Sequence, residues 1–227
     1  MRFGRILVNM FEEMDNLVVI NIVEHEIDKN LPMMIPSRQQ CLSLMATHQM
    51  PVHIRAHSRY VAGIAVGLSK TLNRHGAGLN MELVEAGGLL HDIAKAHCLR
   101  TGESHALIGG QMVRRMGYPQ VASIVEDHVN IADSDLQSPL TESLLVNYAD
   151  KRVKHTEVVS LEERFGDLVE RYGVTSQRRV RLNQYLSLFA RLEEMIFAGL
   201  DIQPRDIVVW AKVIAQPADP VFALAGS

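Results

Sequence analysis

Cysteine is scarce in this chain: Cys41 and Cys98 are the only two in 227 residues, and no CxxC pair occurs. That excludes a disulfide framework and a cysteine-built zinc site, and makes a reducing cytoplasm the expected home. Aromatic residues are few, at 5%, so the core must be packed mainly with aliphatic side chains. A charge excess is also missing. The formal net charge is -3, which gives no sign of a strongly basic nucleic-acid footprint or a polybasic membrane surface. Long hydrophobic runs are absent as well. The most apolar N-terminal stretch, "LVVINIV" at 17–23, falls far short of the ~20 residues a membrane span needs. Glu12, Glu13 and Asp15 interrupt the apolar stretch before it and no small-residue cleavage site follows, so the start does not read as a signal peptide. No membrane association is expected.

What is present is a 47% apolar fraction arranged with helical spacing. Residues 1–36 stand apart as an N-terminal extension that ends at the helix-breaking "NLPMMIPS", and their apolar run fits strand and helix equally. From Ser37 the pattern is helical almost throughout. Ser37 can cap "RQQCLSLMATHQ". Pro51 opens a long helix with His57, Val61, Ile64, Ala65 and Leu68 along one stripe. Asn80 can cap a third helix that runs into "AGGLLHDIAK". Helices over 103–116, 120–128, 141–155, 160–173 and 177–199 follow, and a tail over 201–227 contains a short helical stretch, "PRDIVVWAKVI". The expected fold is an all-α helical bundle over 37–200.

Six ionisable residues share or border the apolar stripes of these helices: His57, His91, Asp92, His105, His128 and Asp150. One inward histidine is ordinary, since a backbone carbonyl satisfies it. Four, with two carboxylates, on successive helices are not ordinary. Buried carboxylates are costly alone and satisfied when they face imidazoles around a cation, and bundles build metal sites from facing helices in this way.

The order His57, then His91-Asp92, then Asp150 resembles the HD-domain superfamily of metal-dependent phosphohydrolases. "HSRYVAGIA" is similar to the family's first-histidine helix, "AGGLLHDIAK" to its doublet helix in the HDIG variant, and "LLVNYADKRV" to its last-aspartate helix. His105 in "ESHALIGG" and His128 in "VEDHV" resemble the extra histidines of members that hold two metals. "GYP" at 117–119 is not the HD-GYP signature, because neither a His-His-Glu stretch nor an Asp-Gly precedes it.

The resemblance implies an HD-domain helical bundle with one or two divalent transition metal ions, and Fe, Mn, Ni, Co and Zn all suit the donor set. It implies that Asp92 bridges the two positions, that His57, His91 and Asp150 complete one, and that His105 and His128 complete the other. The activity implied is hydrolysis of a phosphoester or phosphoanhydride by a metal-bound hydroxide. The substrate would be a nucleotide or another small phosphorylated molecule. Lys95, three residues after Asp92, is expected near its face on a continuing helix, as a phosphate contact or proton donor beside the catalytic Asp92; a solvated lysine at a helix C-terminus is the plainer reading. Arg59 and Lys151 are weaker substrate-binding candidates. Two other functions use the same ligands: an HD-type di-iron oxygenase and a non-catalytic nucleotide-binding domain. The helices after 155 could complete the bundle, cover the pocket or form a homodimer seam.

Overall fold

The computed structural model describes residues 34–214, so expectations about the extension and the last residues of the tail fall mostly outside it. Among the described residues the chain is helical, as expected. Helix α1 (Arg38–Thr47) starts at Ser37, which makes a capping box with Gln40. Helix α2 (Val52–Arg74) follows Pro51 and is the longest. Its stripe behaves as the spacing predicts: Val61, Ile64, Ala65 and Leu68 are fully buried. Asn80 caps α3 (Met81–Leu90) by accepting from the Leu83 amide. Four more helices follow: α4 (Lys95–Thr101), α5 (His105–Arg115), α6 (Pro119–Asp127) and α7 (Glu142–Lys151). Helices α3 and α7 both pack on α2, and α5 pairs with α6, which also meets α3 and α7.

After α7 the chain makes a hairpin that the sequence pattern did not signal. Its strands β1 (Val153–Lys154) and β2 (Glu157–Val158) are two residues each, too short to show an alternation. His155 at its tip takes a left-handed conformation, φ 58°. Helix α8 (Leu161–Tyr172) then starts at a second capping box, Ser160 with Glu163, and α9 (Ser176–Phe197) packs on α8 and α7. Arg152 at the end of α7 donates to Glu193 of α9 at 2.7 Å, which ties the late helices to the site helices. A 3-10 turn (Pro204–Ile207) leads into α10 (Val208–Ile214), which lies on α2. Ile207 and Ala211 are fully buried, so this part of the tail belongs to the same core. No helix of the described residues is long and apolar enough to cross a membrane.

Candidate metal centre

The glycines of "AGGLLHD" explain how the site is assembled. A Cβ on Gly88 would stand 2.7 Å from the Ala62 Cα of α2, and one on Gly87 would stand 2.7 Å from the Ile124 side chain of α6. Helix α3 is thus approached closely from two sides, and its C-terminal end carries His91 and Asp92 into the space between α2, α6 and α7. Helix ends place most of the remaining groups. His128 is the C-cap of α6, His105 is the first residue of α5 behind the Ser104 cap, and Asp150 lies in the last turn of α7.

Asp92 is the centre of the cluster. Its Oδ2 is 3.4 Å from His91 Nε2 and 4.0 Å from His57 Nε2. Its Oδ1 is 3.4 Å from His105 Nε2 and 3.7 Å from His128 Nε2. Asp150 joins the first side, with Oδ1 at 3.0 Å from His57 Nε2 and 3.6 Å from His91 Nε2. Five of the six residues picked from the sequence therefore form two groups that meet at one carboxylate, His57, His91 and Asp92, then Asp92, His105 and His128, and the sixth, Asp150, lies against the first group.

Three of the four imidazoles are oriented by backbone. His57 Nδ1 lies 3.1 Å from the His155 carbonyl, His91 Nδ1 lies 2.8 Å from that of Gly88, and His128 Nδ1 lies 2.6 Å from that of Val125. A proton on Nδ1, assigned from these acceptors, leaves each Nε2 lone pair facing Asp92 or Asp150, as metal-binding histidines are commonly held. Two buried polar atoms in the centre, His91 Nε2 and Asp92 Oδ1, have no hydrogen-bond partner among the described residues. Unpaired buried polar atoms are costly, and a divalent cation on each side would satisfy both. The imidazole and carboxylate donor set fits a first-row transition metal better than calcium.

The electrostatics differ between the sides. Burial would lower the pKa of His91, but Asp92 and Asp150 override it and raise the imidazole to about 9. Burial, reinforced by the cationic His91 beside it, pushes His128 down to about 3. Burial also lowers His105. Burial works to raise Asp92, yet His91 and Lys95 hold it well below the carboxylate range; Lys151 and the histidines do the same for Asp150.

Lys95 reaches Asp92 Oδ2 at 2.6 Å, but by another route than expected. Helix α3 stops at Leu90. Three-residue hydrogen bonds, Ile93 to Leu90 and Lys95 to Asp92, make a tight turn, and Lys95 is the first residue of α4. A helix start does not favour a cation, so Asp92 is what holds it there.

Lys151 is buried, and its ammonium bonds Asp150 Oδ2 at 2.6 Å, the His128 carbonyl at 3.2 Å and Asn147 Oδ1 at 3.3 Å. All three donors are used, which braces both sides of the centre from α7. Arg59 is buried in α2. Glu103 lies 3.5 Å from the exposed His97.

A cavity of about 210 Å³ opens onto the centre, lined by His57, Asp92 and Lys95 on one wall and by Arg164 and Arg171 of α8 on the other. His53 and His155 also border it. The sequence pattern singled out none of these last four. His155 acts on His57 through a backbone carbonyl, for which residue type carries no signal, and the arginines read as the polar face of an amphipathic helix.

Residues 54–153, which include all six convergent residues, match the HD domain family. Ribonuclease Y of Treponema denticola is 28% identical over 166 residues, 68% of this chain and 31% of that protein. Ribonuclease Y of Fusobacterium nucleatum is 34% identical over 99 residues, 43% of this chain and 18% of that protein. An uncharacterised protein of Methanocaldococcus jannaschii is 28% identical over 131 residues, 52% of this chain and 76% of that protein. The chain spans less than a third of the length of these ribonuclease Y relatives. No solved structure matches it.

Proposed function

From the match of residues 54–153 to the HD domain family, we propose that the protein is a metal-dependent phosphohydrolase that hydrolyses a phosphoester bond of a nucleotide or other small phosphorylated compound. The observation that carries this reading is Asp92, whose two oxygens each face their own pair of imidazole Nε2 atoms. His57, His91, Asp150 and Asp92 would hold one divalent ion; Asp92, His105 and His128 would hold a second. Bound there, such ions act as Lewis acids on phosphoryl oxygens and make a water nucleophilic at neutral pH. The chain's own residues do the rest. Asp92 fixes the two positions relative to each other, and its buried carboxylate remains ionised. Lys95, at the cavity wall, turns its ammonium to the phosphoryl group and neutralises charge as the ester opens. Lys151 keeps Asp150 ionised and aimed. The two free thiols, Cys41 and Cys98, are buried and suit a reducing cytoplasm.

The relatives named ribonuclease Y favour one substrate class within this reading, the phosphodiester of a ribonucleotide. The test is elemental analysis of protein purified without chelator, followed by assay against bis(p-nitrophenyl) phosphate, mononucleotides and short oligoribonucleotides with Mn, Fe, Co, Ni or Zn added. We expect one to two equivalents of metal and metal-dependent release of phosphate or shortened product. A protein that takes up no metal and cleaves none of these would overturn the reading, and iron with oxygen uptake would replace it with the oxygenase chemistry.

A further inference from the structure

Helix α8 lies outside the stretch that matches the HD domain, yet it forms the far wall of the cavity over the metal centre. It carries four carboxylates, Glu162, Glu163, Asp167 and Glu170, and two arginines, Arg164 and Arg171. By count it is acidic. Its cavity face is not. The α8 residues that line the cavity are Arg164, Leu168, Arg171 and Tyr172, a single stripe at i, i+4, i+7 and i+8, and no α8 carboxylate is among them. The helix has sorted its charge so that cations meet the cavity.

Asp167 shows that this sorting is more than a structural staple. It is 8% exposed and pairs with three cations: Lys154 of the hairpin at 3.1 Å, Arg171 at 3.0 Å and Arg164 at 3.4 Å. One carboxylate faces three positive charges, an excess of cations at the cavity wall where Arg164 is only 14% exposed while Lys154 and Arg171 reach into water. Repulsion between close like charges is expensive where water is limited, so the arrangement is suited to another anion. Arg164 Nε is buried without a hydrogen-bond partner among the described residues, although its guanidinium borders the cavity. Arg171 also lies 3.2 Å from His155 Nε2, on the residue whose carbonyl orients His57. At the mouth of the same cavity Leu99 and Tyr172 leave large apolar surfaces in solvent.

We propose that Arg164 and Arg171 form a binding site for a second phosphoryl group of the substrate, beside the one at the metal centre, with Tyr172 and Leu99 as the platform on which the attached base stacks. This rests on the phosphohydrolase reading for the first phosphoryl group. The chemistry fits: guanidinium forks match phosphate oxygens, and aromatic faces take any base. A cavity of about 210 Å³ is too small to enclose a nucleotide, and ligand pockets commonly measure ~300–1,000 Å³. It accommodates phosphoryl groups and leaves the base at the mouth. The second group could be the neighbouring diester of an oligonucleotide or a terminal phosphate of a mononucleotide.

The test compares the unaltered protein with Arg164→Ala, Arg171→Gln and the double variant. In Mn-loaded protein, KM is measured for bis(p-nitrophenyl) phosphate, which has one phosphoryl group, for a 5′-hydroxyl trinucleotide, which adds a neighbouring diester, and for a 5′-phosphorylated dinucleotide, which adds a terminal phosphate. Binding of uridine 3′,5′-bisphosphate to chelator-treated protein is measured by calorimetry, and thermal melting checks folding. The proposal expects the double variant to raise KM for at least one two-phosphoryl substrate tenfold or more beyond any rise for the single-phosphoryl ester, and to weaken bisphosphate binding at least tenfold. Whichever substrate shifts identifies the source of the second group. Equal changes on all three substrates, or unchanged bisphosphate binding in folded variants, would overturn it. If wild-type protein cleaves no ester but the variants lose bisphosphate binding, the hydrolase reading fails and the anion site stands. Arg171→Gln, whose side chain is 43% exposed against 14% for Arg164, keeps the test valid if Arg164→Ala does not fold.

Discussion

On the Oδ2 side of Asp92, the side chains of His57, His91 and Asp150 are each less than a tenth exposed; on the Oδ1 side, His105 is 29% exposed and His128 stands behind it. The first side has two carboxylates for two imidazoles. The second has two imidazoles and only a share of Asp92. The pKa values diverge accordingly: two carboxylates override burial and raise His91 to about 9, while burial, reinforced by His91, lowers His128 to about 3, though the two rings are 5.0 Å apart. A closed position with anionic ligands holds a cation tightly, and an open one with neutral ligands exchanges it and admits water or substrate. On the proposed reading, Asp92 would join a position that retains its ion to one that exchanges it.

Removing the bridge should collapse the comparison and have the largest effect. Asp92→Ala should lose both metals and all measurable hydrolysis, a deficit beyond the ~10–100-fold that loss of a supporting partner costs; metal analysis beside a turnover assay reads both. The two sides should then separate under single substitutions. His105→Ala should keep one equivalent of metal and lose the second, whereas His57→Ala should weaken the tighter ion, which stepwise dialysis against graded chelator distinguishes. Lys151→Met should act on the first side through Asp150. Leaving a buried carboxylate without its partner costs about 3 kcal/mol or more. The variant should therefore melt well below wild type when metal-free, and closer to it when metal replaces the missing charge. Differential scanning calorimetry with and without Mn would show whether the gap narrows.

A smaller effect should appear in the pH dependence of the metal-free protein. His91 has a folded pKa of about 9 against an ordinary value of 6.5. The folded state thus holds a proton that the unfolded state releases above 6.5. That contribution is complete below 6.5 and lost as pH rises through 9. Metal-free protein should lose stability between pH 6.5 and 9, and metal-loaded protein should not, because the ion takes the proton's place. Chemical denaturation at three pH values tests it. The smallest effect belongs to His75, which lies at the end of α2 and whose ring Nδ1 lies 3.1 Å from the Thr71 carbonyl of its own helix. His75→Ala should stay within about 0.5 kcal/mol of wild type and leave metal content unchanged.

Much of the centre was legible because its residues sit on apolar stripes. His57 falls in line with Val61, Ile64 and Leu68, and a polar residue in that line must face the core. Lys95 was placed near Asp92 correctly but on the wrong element, since residues at i and i+3 meet both on a continuous helix and across the tight turn that replaces it. Lys151 is only a weaker substrate-binding candidate in the sequence, because a lysine beside a ligand gives no sign of which way it turns; in the structure it turns inward to Asn147 and the His128 carbonyl at the end of α6.

The amino-acid order alone determined the mainly helical character of the described residues, the caps at Ser37 and Asn80 and the apolar-stripe placement of the six candidate ligands, because capping, periodicity and burial of apolar faces are local and read within one or two turns. Only the tertiary structure decided that Asp92 divides its two oxygens between two histidine pairs, that the His155 carbonyl steers His57, and that an acidic helix presents its two arginines to the cavity. Those outcomes depend on the angle and approach of helices far apart in sequence, set by contacts such as Gly88 against Ala62, and no single segment carries that information.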